Sequence, residues 1–136
     1  MKRVLADTGP LVAILSPADQ FHGKYVDALK SLVPPLYTCW SVITEAAWLL
    51  REDPEAVEAL LRGGGAGFYK ILDLGEQDAE SIAALLKRYR NLRPRVVDAS
   101  LVHLAQREGI DTIFTLDQRD FRVYRPAPHR FCRILP

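Results

Sequence analysis

The sequence predicts an α/β fold in which helices cover both faces of a mostly parallel sheet of four or five strands. Short apolar runs of strand length alternate with longer segments of helical periodicity, and glycine or proline separates many of them. Such alternation is typical of parallel sheets. A length of 136 residues, 49% of them hydrophobic and 26% charged, fits one compact domain over residues 1–136.

The first predicted strand, residues 4–6, ends on Asp7, and a helix is expected directly after it. Thr8, Gly9 and Pro10 follow, and the fixed φ of proline suits the first turn of a helix. Asp7 is therefore expected at the carboxyl end of a strand, where open α/β sheets bind ligands. Capping of the helix is an equally good explanation of Asp7 taken alone.

The later elements follow the same alternation. Ser41 can cap a helix, Asp53 and Pro54 open another, and a triple glycine at 63–65 ends that one. The pattern predicts strands at 36–39, 68–72, 112–115 and an edge strand at 131–135, and helices at 21–32, 42–51, 53–62, 76–89 and 96–108, the last closed by Gly109.

Several protein classes are disfavoured by composition. No apolar run of about 18 residues predicts a membrane span, and the first residues show no secretory signal pattern. Cys39 and Cys132 make a poor disulfide framework and lack neighbours at zinc-site spacing. We therefore expect a cytoplasmic protein that does not bind membranes and has two buried thiols.

Charge is unevenly distributed along the chain. Residues 1–86 carry 7 basic and 12 acidic side chains, whereas residues 87–136 carry 11 basic and 5 acidic ones. Most of the basic excess is arginine, which can mark a polyanion-binding surface or simply a solvated face.

Four carboxylates are predicted at the same edge of the sheet. Asp7 and Asp117 each follow an apolar strand, and Glu45 and Asp98 lie near helix starts among apolar neighbours. Burying such acids is costly unless they are paired or bind a metal, although capping could explain each one alone. A divalent cation would relieve their repulsion, and an all-oxygen donor set suits Mg²⁺ or Mn²⁺.

A carboxylate cluster of this kind, holding one or two ions, can activate water for phosphodiester cleavage. Thr8 and Thr115 lie beside the acids and could position the water or a carboxylate. Ordinary turn and strand polarity explains both threonines equally well.

Four segments, in this order, resemble PIN-domain nucleases of the VapC-like toxin type. They are Asp7-Thr8-Gly9-Pro10-Leu11, Thr44-Glu45-Ala46, Val97-Asp98-Ala99-Ser100-Leu101-Val102 and Thr115-Leu116-Asp117-Gln118-Arg119-Asp120-Phe121. The resemblance implies a three-layer α/β/α fold and a Mg²⁺- or Mn²⁺-dependent endoribonuclease with RNA and a protein antitoxin as partners. By position it implies a catalytic metal site of Asp7, Glu45, Asp98 and Asp117, with Asp120 as an accessory.

The chain also departs from these relatives, which often carry further acids where it has Asn91 and Arg95. Arg95 lies three residues before Asp98 and could pair with it, weakening metal binding. The main alternative is therefore a PIN-like module that binds nucleic acid or protein while its acids stay idle.

Other nucleophile chemistries are poorly supported. A phosphatase of the haloacid dehalogenase type needs a second Asp where Gly9 stands. The histidines show no spacing to a plausible nucleophile, and we expect His103 at a helix surface or an interface.

Two expectations concern surfaces. Arg119, Arg122 and Arg125 follow Asp117 directly, so we expect them to hold RNA phosphates near the acids. Spare apolar helix surface, at residues 9–32 or on the helix after Glu76, predicts a two-fold homodimer, as PIN-domain relatives also imply.

Overall fold

The computed structural model of the protein describes residues 3–117, 121 and 123–124, together with the backbone of 133–135. Its strands are β1 Leu5–Ala6, β2 Leu36–Thr38, β3 Tyr69–Ile71, β4 Thr112–Phe114 and β5 Arg133–Leu135. Its helices are α1 Thr8–Leu15, α2 His22–Lys30, α3 Trp40–Leu49, α4 Pro54–Arg62, α5 Ala79–Arg88 and α6 Val96–Glu108, with short 3-10 helices at Glu76–Asp78 and Arg90–Leu92.

The described strands form one parallel sheet in the order β3-β2-β1-β4-β5. In this sheet Leu5 is in register with Tyr37 on one side and with Ile113 on the other. The order reverses direction at β1, so right-handed crossovers place α1–α4 and α5–α6 on opposite faces. The predicted three-layer α/β/α architecture is confirmed, including the edge strand near the end of the chain.

The reversal of strand order at β1 places the carboxyl ends of β1 and β4 side by side. The backbone N–H of Asp7 donates to the carbonyl of Phe114 at 2.9 Å, which extends this pairing past the end of β1. Side chains that follow either strand therefore meet at the sheet edge where α/β proteins bind ligands.

Gly9 allows the segment after β4 to approach α1 closely. A Cβ at Gly9 would lie 2.5 Å from Cδ1 of Leu116, which is closer than side chains tolerate. Because Leu116 lies between Thr115 and Asp117, this close approach holds both of those residues beside the first turn of α1.

The most buried helix is α6, in which the run from Val97 to Ala105 is buried without interruption. It ends at Gly109, whose φ of 67° is the left-handed conformation that glycine adopts readily. Both the start of this helix and its closing glycine match the prediction.

The predicted cap at Ser41 was wrong. The helix α3 already begins at Trp40, after Cys39 in an extended conformation with φ −143°. Ser41 therefore lies inside the first turn, where its hydroxyl is 3.1 Å from the sulfur of Cys39. Because the cap position lacks a side-chain hydrogen bond, no local signal marked this helix start.

Within the described part of the chain, no helix is both long and apolar enough to cross a membrane.

Candidate active site at the carboxyl edge of the sheet

Asp7 is a helix cap that is almost completely buried, with 4% of the residue exposed. Its Oδ1 accepts the backbone N–H of Thr8 at 2.7 Å, and its Oδ2 accepts the hydroxyl of Thr115 at 2.7 Å. Burial raises the pKa of Asp7 from 3.8 to about 6, outweighing these hydrogen bonds, which lower it. The capping explanation is therefore correct but incomplete, because this carboxylate is destabilised and would gain from a nearby cation.

Thr115 connects Asp7 to the chain beyond β4. While its hydroxyl donates to Asp7, its Oγ1 accepts the backbone N–H of Asp117 at 2.9 Å. The buried hydroxyl of Tyr25 donates to the carbonyl of Thr115 at 3.1 Å and holds that residue from the α2 side. The sequence placed Tyr25 only on an apolar helix face, and no local pattern reveals this contact.

Glu45 joins the site through Thr8. The Thr8 hydroxyl donates to Oε2 of Glu45 at 2.8 Å, although the two residues are far apart in the chain. Glu45 projects from α3 and its side chain is 21% exposed. This hydroxyl therefore positions a carboxylate, one of the two roles considered for Thr8.

Asp98 has one satisfied and one unsatisfied oxygen. Its Oδ2 accepts the backbone N–H of Arg95 at 2.9 Å, which caps α6. Its Oδ1 is buried and accepts no hydrogen bond, and Nη2 of Arg95 lies 3.5 Å away as an ion-pair contact only. Buried polar atoms rarely lack a hydrogen bond, so this oxygen marks a position suited to a ligand.

Arg95 bridges two carboxylates of the site. Its Nη1 pairs with Oε1 of Glu45, and its Nη2 pairs with Asp98. Burial lowers the pKa of Arg95, but the charges of Asp98, Glu45 and Asp7 together raise it above its ordinary value. The expected pairing with Asp98 is confirmed, and the contact with Glu45 adds a second ion pair.

The residues suit a hard divalent cation in kind, because every donor is an oxygen and Oδ1 of Asp98 accepts no hydrogen bond. Their present arrangement does not close around one point. Within residues 3–117, 121 and 123–124, no three His, Cys, Asp or Glu side chains stand close enough to hold a metal ion. The guanidinium of Arg95 lies between two of the acids instead.

Four of the predicted site residues lie outside the residues that the structure describes. They are Asp120, Arg119, Arg122 and Arg125.

The expectation for His103 was wrong. The residue is only 9% exposed, and its Nε2 lies 2.7 Å from Oδ1 of Asp78. Arg107 also reaches Asp78 at 3.3 Å. We call these three residues the Asp78 cluster. It joins the 3-10 helix at Glu76–Asp78 to the C-terminal half of α6.

The strand order and the carboxylates linked at its carboxyl edge define a PIN-like α/β domain. The chain belongs to the PIN domain family, whose profile matches residues 4–126. It is 30% identical over 125 residues to Ribonuclease VapC26 of Mycobacterium tuberculosis, covering 90% of this chain and 93% of that protein.

A solved structure shares the fold. The crystal structure of Mycobacterium tuberculosis VapC20, described as a sarcin-ricin loop cleaving toxin, superimposes with a TM-score of 0.78. The match covers 85% of this chain and 91% of that one at 19% sequence identity, so it supports the fold alone.

Proposed function

We propose that the protein is a Mg²⁺- or Mn²⁺-dependent endoribonuclease that hydrolyses RNA phosphodiester bonds, and that it is the toxin of a toxin–antitoxin pair. Membership of the PIN domain family and similarity to a VapC ribonuclease support this function. The observation that carries the proposal is the buried Oδ1 of Asp98, which accepts no hydrogen bond, in a network that also contains Asp7 and Glu45.

In the proposed mechanism, Asp7, Glu45, Asp98 and Asp117 would hold the divalent ion. Its chemistry there would be to make water a better nucleophile at neutral pH and to stabilise charge on the leaving oxygen. The hydroxyls of Thr8 and Thr115 fix the orientations of Glu45 and Asp7, so that fewer rotamers must be ordered when RNA binds.

We assign RNA binding to the basic half of the chain, with Arg119, Arg122 and Arg125 as phosphate-binding residues. Replacing all three with Ala should weaken RNA binding and reduce its log–log salt slope by about 0.7 for each phosphate that the variant no longer binds. Metal affinity should not change. Arg62→Ala, on the exposed face of α4, is the control, and an unchanged slope in the triple variant would contradict this assignment.

The proposed partners are an antitoxin protein and a second copy of the chain, and the proposed location is the cytoplasm. The structure exposes large apolar side chains, among them Trp40, Trp48 and Leu61, which is compatible with a protein interface. Light scattering at micromolar concentration should give about twice the 15.3 kDa mass of one chain. A mass near 15.3 kDa would contradict the homodimer.

One observation favours the alternative of an idle PIN-like binding module. Arg95 already neutralises part of the acidic site, and the described carboxylates do not converge on a single point. In that alternative the protein binds nucleic acid or protein without cleaving RNA.

The deciding experiment is Asp98→Asn. The amide oxygen of Asn can still accept the N–H of Arg95, so the cap of α6 is kept while a negative ligand is lost. We expect RNA cleavage to fall at least about a hundredfold and Mn²⁺ binding, measured by calorimetry, to weaken strongly.

Asp27→Asn is the matched control for Asp98→Asn. Asp27 lies on α2 and, within the described part of the chain, its side chain forms only an exposed ion pair with Lys30, so cleavage and metal binding should stay at wild-type values. Cleavage by Asp98→Asn at the wild-type rate would rule out the proposed site.

A further inference from the structure

We propose that Arg95 is a built-in counter-cation of the acidic site, which a divalent metal ion must displace in order to bind. The inference rests on the proposed function and deepens it, because it concerns how metal occupancy of the same site is set. Arg95 belongs to this chain, so the competition is intramolecular and present in every molecule.

The geometry places the guanidinium where a cation is needed. It pairs with Glu45 from α3 and with Asp98 from α6, and so joins acids that two different helices supply. Among the described residues no other Lys or Arg forms an ion pair with these two carboxylates or with Asp7. Removing Arg95 would therefore leave a group of buried and half-buried acids without a described cation.

The guanidinium satisfies these acids incompletely. Oδ1 of Asp98 is buried, and the 3.5 Å contact with Nη2 of Arg95 lacks hydrogen-bond geometry. The guanidinium contacts this oxygen without donating a hydrogen bond to it, whereas a small divalent ion binds carboxylate oxygens directly and carries twice the charge. The unsatisfied oxygen favours exchange of the guanidinium for a metal ion.

Arg95 is also able to leave without disturbing the helix. Its side chain is 56% exposed, whereas the cap of α6 uses its backbone N–H, which donates to Oδ2 of Asp98. Ion pairs this exposed are weak and easily broken. The head group can therefore swing into solvent while the N-terminus of α6 remains in place.

Competition of this kind lowers the apparent metal affinity. If the metal-free protein spends most of its time with Arg95 closed on the acids, the observed Kd rises in inverse proportion to the open fraction. Removing the guanidinium of Arg95 should therefore lower the observed Kd for the metal. The metal-free protein should at the same time become less stable, since Glu45 and Asp98 would have no counter-ion.

The test is Arg95→Met, which keeps the aliphatic length and the backbone N–H but removes the charge. We expect calorimetric titration with Mn²⁺ to show binding about tenfold tighter than in the wild type. The melting temperature without metal should fall, and the rise on adding Mn²⁺ should be larger than in the wild type.

The control is Arg93→Met, which removes the same charge from the same loop. Arg93 is exposed and, among the described residues, forms no ion pair with a carboxylate. Its metal affinity should equal that of the wild type. If Arg95→Met does not fold, Arg95→Lys gives the second measurement. Its Mn²⁺ affinity should be higher than that of Arg93→Met, because a lysine reaches only one acid at a time and so competes less strongly with the metal.

The outcomes separate the inference from the proposed function. Equal Mn²⁺ affinity in the wild type and the Arg95 variants would overturn the counter-cation role and leave the metal-dependent nuclease standing. Weaker RNA binding with unchanged metal affinity would also overturn it, in favour of phosphate binding by Arg95. Absence of Mn²⁺ binding in the wild type and in every variant would overturn both proposals.

Discussion

A buried carboxylate lies against each end of helix α6, and the two carboxylates differ in how many of their oxygens accept hydrogen bonds. In the Asp78 cluster, Asp78 accepts the backbone N–H of Gly75 at 2.8 Å and contacts His103 at 2.7 Å and Arg107 at 3.3 Å. These hydrogen bonds, that with His103 first, lower the pKa of Asp78 to about 2. At the other end of α6, Oδ1 of Asp98 accepts no hydrogen bond.

Asp7, which belongs to the acidic site near the start of α6, shows the opposite shift. Burial raises its pKa to about 6 because its hydrogen bonds do not compensate for lost hydration. The comparison separates two uses of a buried carboxylate. A buried carboxylate whose oxygens all accept hydrogen bonds has a structural role, which here is to hold the start of α5 against α6. A buried carboxylate with an oxygen that accepts none identifies a place that a ligand can occupy.

The largest expected effect comes from Asp7→Asn. The variant keeps the cap, since the amide oxygen can accept the N–H of Thr8, but it loses a negative charge that the proposed site needs. RNA cleavage should fall at least about a hundredfold under saturating Mn²⁺. Stability of the metal-free protein at neutral pH should not fall, because a poorly hydrated charge is removed. Unfolding by urea together with a cleavage assay measures both, and loss of activity through misfolding would contradict the comparison.

The same substitution in the Asp78 cluster should have the reverse pattern. Asp78→Asn removes the charge that His103 and Arg107 contact, so the melting temperature should drop by roughly 5–10 °C. Cleavage assayed well below the melting temperature should stay within about twofold of the wild type. A cleavage defect as large as that of Asp7→Asn, without unfolding, would show that the Asp78 cluster is not merely structural.

The pH dependence of stability sharpens the contrast. Asp7 has a pKa near 6 in the folded chain against 3.8 for a free side chain, so the folded state holds its proton more tightly. Stability from this group is therefore present below pH 4 and is lost as the pH rises from about 4 to 6, a change on the order of 3 kcal/mol. The measurement is the difference in unfolding free energy between wild type and Asp7→Asn at several pH values. A difference that does not change over this window would refute the burial of Asp7 as described.

The Asp78 cluster should respond in the opposite direction and at lower pH. Its folded pKa of about 2 lies below the ordinary 3.8, so its contribution is present above pH 4 and is lost as the pH falls toward 2. Asp78→Asn should lose stability relative to the wild type at pH 5, and the two should converge near pH 2. Parallel curves over this range would contradict the assignment.

The sequence by itself determined the succession of strands and helices along the chain and the edge of the sheet at which Asp7, Glu45, Asp98 and Asp117 lie. These are local features: strand ends, helix starts and glycine or proline boundaries are written in neighbouring residues. Even the chance of an Arg95–Asp98 pair was readable, because residues three apart at a helix start are close in space.

Tertiary structure alone decided which acids are satisfied. Thr115 and Asp7 are 108 residues apart, Arg95 and Glu45 are 50 apart, and His103 and Asp78 are 25 apart. No local pattern links such partners, because the sheet order brings them together only after the chain has folded. Whether a buried carboxylate has all its hydrogen bonds depends on the burial and geometry of those partners. For that reason the sequence identified the acids, but only the fold distinguished the Asp78 cluster from the site that Arg95 bridges.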